Sequence, residues 1–379
     1  MSLNSFQDFV LKKSQHKYFV YFLAFLLLLI SFIFSDCYFL NFLNQNKFSG
    51  AWETIILKSR DLTNPLKHIT AYSWQSKKVF RITVPFLMKI FLLTPSFIIK
   101  LQIITGYFFY LLSYKLSLRL FRNPLNATLF TITLSFLYIG KASVFEYLYT
   151  WFDGFSFFFL LAAMYYRKYY LIFLFSSLAA WNDERALIAL SFVFLFHFQV
   201  NKRNNIVLKD FIRLEKNSIV VLAAILCYII LRVFLSIKFH LFTPTAGANL
   251  EVFFNHKFIH CISGIVTFFE GFYILLFFYF FYLIKNKDYN NLLINIIPLF
   301  TISLTSLCVT DITRSGSFGF PLIFVSIQYL NHTIASSKLT KILSLSLIIS
   351  LIIPPLFICT DWDYSVMLPK IYNQLLRIF

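Results

Sequence analysis

Long apolar runs recur from one end of this chain to the other, and they leave few folds open to it. They cover 18–35, 96–119, 125–140, 152–166, 170–182, 186–200, 217–235, 261–284, 289–309, 316–330 and 342–359. A helix needs about 20 mainly apolar residues to cross a bilayer, so the pattern predicts an all-α, polytopic transmembrane bundle with about 10–11 spans. Several runs are short and must extend into their flanks, tilt little, or stop partway through the membrane. The whole chain reads as one membrane domain. It has a first span at 18–35, a long outer loop over 36–95, a helical bundle over 96–359 and a short outer tail over 360–379. Within the outer loop, Val79 to Leu93 is mainly apolar but too short to span, which suits an interfacial or re-entrant helix.

Composition agrees. Only 13% of residues are charged and 59% are hydrophobic, whereas soluble domains carry about 25% charged residues. Such a chain lacks the polar groups to cover a surface in water. The net charge of +18 would suit a nucleic-acid partner if it formed one patch. It is instead divided into clusters between apolar runs: Lys12-Lys13, Arg167-Lys168, Lys202-Arg203, and Lys285 with Lys287. Loops rich in Lys and Arg stay cytoplasmic. The pattern therefore excludes nucleic acid as a partner and predicts a cytoplasmic N-terminus. The basic stretch Lys12, Lys13, Lys17 precedes an apolar run to Phe34 with no A-x-A-like site after it, so an uncleaved first helix is expected.

The five cysteines show no C-x-x-C spacing, and no second cluster completes a metal site around His256, His260 and Cys261. Asp361 and Asp363 are too slight a signal for a divalent cation. Neither metal nor cofactor is expected. Walker A, G-x-S-x-G and H-E-x-x-H motifs are absent from the sequence, which gives no support to ATP-driven transport or common hydrolase chemistry.

The 170–200 stretch contains Asn182-Asp183-Glu184-Arg185 at its centre. A continuous helix would place three charges in hydrocarbon, at about 2.5–3.5 kcal/mol each. A break between two helices is therefore predicted. With the N-terminus inside, most acids fall outside or at outer helix ends, among them Asp36, Glu146, Asp153, Asp183, Glu184, Glu270 and Asp311. Ionisable groups gathered at a membrane boundary define a candidate site.

Asp36, directly after the first span, is either a general base facing an outer cavity or a polar helix end. Arg81, in Phe80-Arg81-Ile82-Thr83-Val84-Pro85, either grips a phosphate with its planar fork or snorkels to head groups. Asn182 or Asp183 can cap the following helix, with Glu184 favoured near its positive end. Capping leaves Arg185 unexplained, and it requires a counter-ion or a ligand. Asp311 and Arg314, at i,i+3, form either an ion pair or an anion clamp. Glu146 and Asp153 flank Tyr147-Leu148-Tyr149-Thr150-Trp151-Phe152, which either anchors at the interface or stacks on a sugar.

The layout resembles the polytopic glycosyltransferases of the GT-C class. In these proteins a first helix leads into a long outer loop with interfacial helices and an early acidic residue. Asp36 with the 36–95 segment, the Arg81–Pro85 sequence, Asp183-Glu184-Arg185 and Asp311–Arg314 carry the likeness. The chain departs from the protein O-mannosyltransferase pattern, because Asp36 is followed by Cys37 rather than Glu and only a short tail follows the last run. The resemblance implies sugar transfer from a polyprenyl-phosphate-linked donor to a saccharide or lipid acceptor at the outer face of a bacterial inner membrane. Asp36 or Glu184 would be the base, and Arg81, Arg185 and Arg314 would hold the phosphate. Asp183, Asp311, Glu146 and Asp153 would support them. A polysaccharide polymerase, ligase or lipid-linked carrier, and a secondary transporter, remain alternatives.

Overall fold

A computed structural model describes residues 10, 12–14, 16, 18–34, 50–62, 78–142, 152–199, 214–240, 250–255, 258–353, 356–359 and 362–366. Helix dominates them. The early helices are α1 (Phe19–Phe34), α2 (Gly50–Arg60), α3 (Thr83–Phe91), α4 (Pro95–Phe121), α5 (Pro124–Phe136) and α6 (Tyr138–Ala142). The middle of the chain forms α7 (Asp153–Tyr165), α8 (Tyr169–Asn182), α9 (Ala186–Gln199), α10 (Lys216–Phe239) and α11 (Leu250–Asn255). Then come α12 (Phe258–Phe269), α13 (Phe272–Lys285), α14 (Tyr289–Leu307), α15 (Ile312–Gly316), α16 (Pro321–Thr333) and α17 (Ser336–Ile352). A small antiparallel ladder closes the description, with β1 (Leu356–Cys359) pairing β2 (Trp362–Val366).

Among the described residues, three helices are long and apolar enough to cross a membrane: α4, α10 and α14. A fourth span results if α12 and α13, bent by 83° at a short break, count as one. Large apolar side chains stand exposed along α10 (Leu226, Ile230, Phe234, Ile237) and α14 (Leu293, Ile297, Phe300). In water such faces would be unstable; in lipid they are in their own solvent.

Local chemistry explains the ends. Thr94 and Asn123 cap α4 and α5 by accepting hydrogen bonds from Phe97 N (3.3 Å) and Leu125 N (2.9 Å), and a proline follows each cap at the first helical position. Asp288 caps α14 in the same way, through Asn291 N at 3.3 Å. The last apolar run behaves differently from expectation. Helix α17 stops at Ile352, before Pro354-Pro355, because a proline ring forbids the helical hydrogen bond and disfavours helix in the residue before it. Residues 356–359, expected within a span, pair with 362–366 instead. The expected interfacial segment 79–93 contracts to the nine-residue α3, with Val79 and Phe80 buried ahead of it against Trp181, Leu235 and Phe239.

Cross-links sort the helix ends into two groups. At one end Asn123 Nδ2 donates to Ser336 Oγ (3.2 Å), Lys338 Nζ to Tyr282 Oη (2.7 Å), Gln199 Nε2 to Asn291 Oδ1 (3.1 Å) and Arg119 Nη1 to Tyr165 O (2.8 Å). The clusters Arg167-Lys168 and Lys285 with Lys287 belong to this basic end. At the other end lie the start of α7, the break between α8 and α9, and α15.

Candidate functional site

Four short segments converge at that second end, each tied down by its own local chemistry. The break between α8 and α9 falls at Asp183, as the charge argument requires, and its carboxylate accepts from Arg185 N at 3.0 Å. That contact satisfies one of the donors a helix start leaves unpaired. Asn182 Nδ2 donates to Phe152 O (2.8 Å) and Ser156 Oγ (2.7 Å), locking the end of α8 to the start of α7. The Arg81 segment docks on the last carbonyls of α8: Ile82 N donates to Trp181 O (2.8 Å) and Thr83 Oγ1 to Leu178 O (2.9 Å). The Trp181 carbonyl, in the last turn, has no partner within its own helix. Helix α15 is held by a Thr267–Thr313 hydroxyl bond of 2.7 Å and by Gly316, where a Cβ would lie 2.0 Å from the Phe268 ring.

Two carboxylates with no solvent exposure, Asp153 and Asp183, form the centre. Arg314 grips Asp153 through Nε, with Nη2 at 2.9 Å, and its Nη1 reaches Asp311 at 3.1 Å. Arg185 grips Asp183 with Nε at 2.8 Å and Nη2 at 2.7 Å. It also reaches Asp153 at 3.4 Å, donates to Ser315 Oγ at 2.8 Å and lies over the Phe318 ring. Arg81 Nη2 meets Asp183 at 3.0 Å and Glu184 at 3.9 Å. Asp153 stands in the first turn of α7 and Asp183 just before α9, so both sit at positive helix ends. Burial alone would raise the Asp183 carboxyl, but the guanidinium charges of Arg185, Arg81 and Arg314 outweigh it and hold the group below the ordinary carboxylate range.

Two lysines complete the cluster. Lys58 Nζ donates to Lys78 O (2.7 Å) and Arg81 O (3.1 Å), fixing the backbone that carries Arg81. Burial, then the Arg81 charge, lowers Lys58 to about 7, with Glu184 pulling the other way. Lys78 is likewise lowered by burial and by the charges of Arg81, Arg314 and Lys58.

Not every group is used up. Arg185 and Arg314 are committed to carboxylates, and Asp153 and Asp183 to guanidiniums. Arg81 differs: its Nε and Nη1 are enclosed and have no hydrogen-bond partner among the described residues. Glu184 differs too, for its side chain is 34% exposed and Oε2 has no such partner either. Arg81 and Glu184 are thus the members with bonding capacity left for a ligand or a proton.

The structure therefore brings together Arg81, Asp153, Asp183, Glu184, Arg185, Asp311 and Arg314. Asp36 and Glu146 lie outside the described residues. Sequence analysis singled out neither Lys58 nor Lys78. A signal was present: Trp52, Ile55 and Lys58 are spaced by three, on one buried helix face. Ser315 and Tyr138, whose hydroxyl is 3.5 Å from Asp153, carried no comparable signal. Among the described residues no group of three His, Cys, Asp or Glu side chains is placed to hold a metal ion. No known protein family matches the chain, and neither does any curated protein or solved structure.

Proposed function

We propose that this chain is a membrane glycosyltransferase that takes sugar from a polyprenyl-phosphate-linked donor at the outer face, in cell-surface saccharide assembly. In this reading the shorter apolar helices also span, giving ten or so crossings, and the bacterial inner membrane is the setting. One observation carries the proposal: Arg81 keeps two enclosed, unused donors beside a carboxylate, Glu184, that keeps an unused oxygen. A phosphate and a proton need those two functions side by side. Arg81 takes the leaving phosphate, where negative charge develops as the C1–O bond breaks. The acceptor hydroxyl attacks C1 from the opposite side, inverting the anomer, and its proton passes to a carboxylate. Asp36 or Glu184 fills that role. Arg185, Arg314, Asp153 and Asp183 hold the frame.

Lys58 adds a signature. A bound phosphate raises a neighbouring lysine from its value near 7, so donor binding above that pH takes up a proton. The test is transfer by purified protein from candidate lipid-linked sugars. Arg81→Gln is expected to lower transfer at least tenfold, consistent with loss of a charge-assisted contact. Asp36→Asn and Glu184→Gln assign the base: the base variant loses transfer and the other keeps it. Transfer unchanged in all three removes the proposal. Long polymers as product would instead indicate a polymerase.

A second reading, a secondary transporter, has its own observation. Glu270 lies at the 83° break between α12 and α13, is buried, and neither carboxylate oxygen has a hydrogen-bond partner among the described residues. Transporters place binding groups at such broken helices. Uptake by proteoliposomes without any transfer would favour it.

A further inference from the structure

A cavity of about 160 Å³ opens at the basic end, remote from the carboxylate network. It lies where α4, α7, α9 and α16 finish and α10 begins. Its charged lining comes from Arg119, Arg122 and Arg167, with His197 and His332 beside them, and among the described residues no carboxylate lines it. The arginines are exposed and form the mouth, while His197 and Gln328 are buried and form the floor.

Two features distinguish this from a loosely solvated basic loop. Arg119 is pre-set: Nη1 donates to Tyr165 O at 2.8 Å and the guanidinium stacks on the Tyr165 ring at 4.5 Å. A guanidinium held in place loses less freedom when it grips an anion. The floor also has unmet acceptors. Gln328, only 6% exposed, has an enclosed Oε1 with no partner among the described residues, and Asn217 Oδ1 is in the same condition. A buried acceptor without a donor is costly, and a ligand hydroxyl removes that cost.

From this pairing we propose that the cavity binds a phosphate ester that also carries hydroxyl groups, with the phosphate on the arginines and a hydroxyl on Gln328. The site is separate from the network and does not depend on the glycosyltransferase reading. Two sources share the chemistry: the head group of phosphatidylglycerol, or a soluble ester such as glycerol phosphate.

The experiment is thermal unfolding and binding of the full chain in detergent, with either ligand added and with phosphatidylcholine as control. Phosphatidylglycerol or glycerol phosphate is expected to raise the unfolding temperature, and which of them does so identifies the source. Arg122→Gln/Arg167→Gln, at exposed positions, is expected to weaken binding roughly tenfold or more, since each charge-assisted bond is among the stronger kind. Gln328→Leu is expected to reduce discrimination between phosphatidylglycerol and phosphatidic acid, which lacks the glycerol hydroxyls. Glu184→Gln, at the far end, should bind as the parent does. Stabilisation by neither ligand, or equal stabilisation in the double arginine variant, would overturn the proposal.

Discussion

Asp183 is the residue on which most depends. Its carboxylate faces Arg81, Arg185 and Arg314 and accepts from a backbone N–H as well. Asp183→Asn leaves one buried and two partly buried guanidiniums short of a counter-charge, and we expect a loss of about 3 kcal/mol, the lower end of the usual cost of breaking a buried pair. Guanidine or thermal unfolding in detergent measures it. Because the folded carboxyl is held below its unfolded value, its stabilisation is present at neutral pH and disappears as pH falls below the ordinary carboxylate range. Lys58 gives a slope of the same sign in a higher window. Its folded value near 7 lies below the ordinary 10.5, so between these limits the unfolded chain binds the extra proton and stability rises with pH. Lys58→Met should remove that slope while losing two hydrogen bonds to carbonyls; unfolding measured across that pH window separates the two effects. The need of Arg185 for a counter-ion was legible in the sequence, because a cation is unfavourable at a helix start; the counter-ion, Asp183, stands two residues away. The centrality of Asp153 was not. Its partners are 32 and 161 residues away, and no local pattern encodes such distances.

Among the elements, starts and stops follow residue chemistry closely. The break at Asp183 was readable from the cost of charge in hydrocarbon, and the α4 and α5 starts from the apolar runs beginning at 96 and 125. The end of α17 was misjudged because apolar content continues through residues that Pro354-Pro355 remove from the helix. Close approaches were invisible to sequence patterns. At Gly271 a Cβ would lie 2.0 Å from Ser346 O, a backbone atom of α17 that cannot swing aside. Gly271→Ala should therefore push α13 from α17 and cost about 1–3 kcal/mol, as overpacking does. Gly316→Ala meets the Phe268 ring and disturbs the helix that carries Arg314; its unfolding temperature should fall too, with loss of any activity that needs the network.

Across the described residues, acids are unevenly shared along the helix axes. The carboxylate network, with its arginines, gathers where α7 and α9 begin, and the side chains where they end are mainly basic. Loop charge alone suggested this division, because clusters of Lys and Arg sit in alternate connections. Single cysteines at 287 and 311, in a background without the native five, should react with impermeant reagents from opposite sides of the membrane. Labelling of both from the same side would contradict the arrangement. The position of the basic cavity was not legible, since it needs the ends of five helices at once.

Helix α9 spans fourteen residues, with Arg185 fixed just before it and His197, bonded to Ala163 O at 2.9 Å, near its finish. It therefore works as a ruler with both tips engaged. Inserting one residue between 188 and 196 would turn one tip by roughly 100° against the other. Either the ion cluster or the His197 contact would then be out of phase. Indels here should be far less tolerated than equal changes of length in the surface connections.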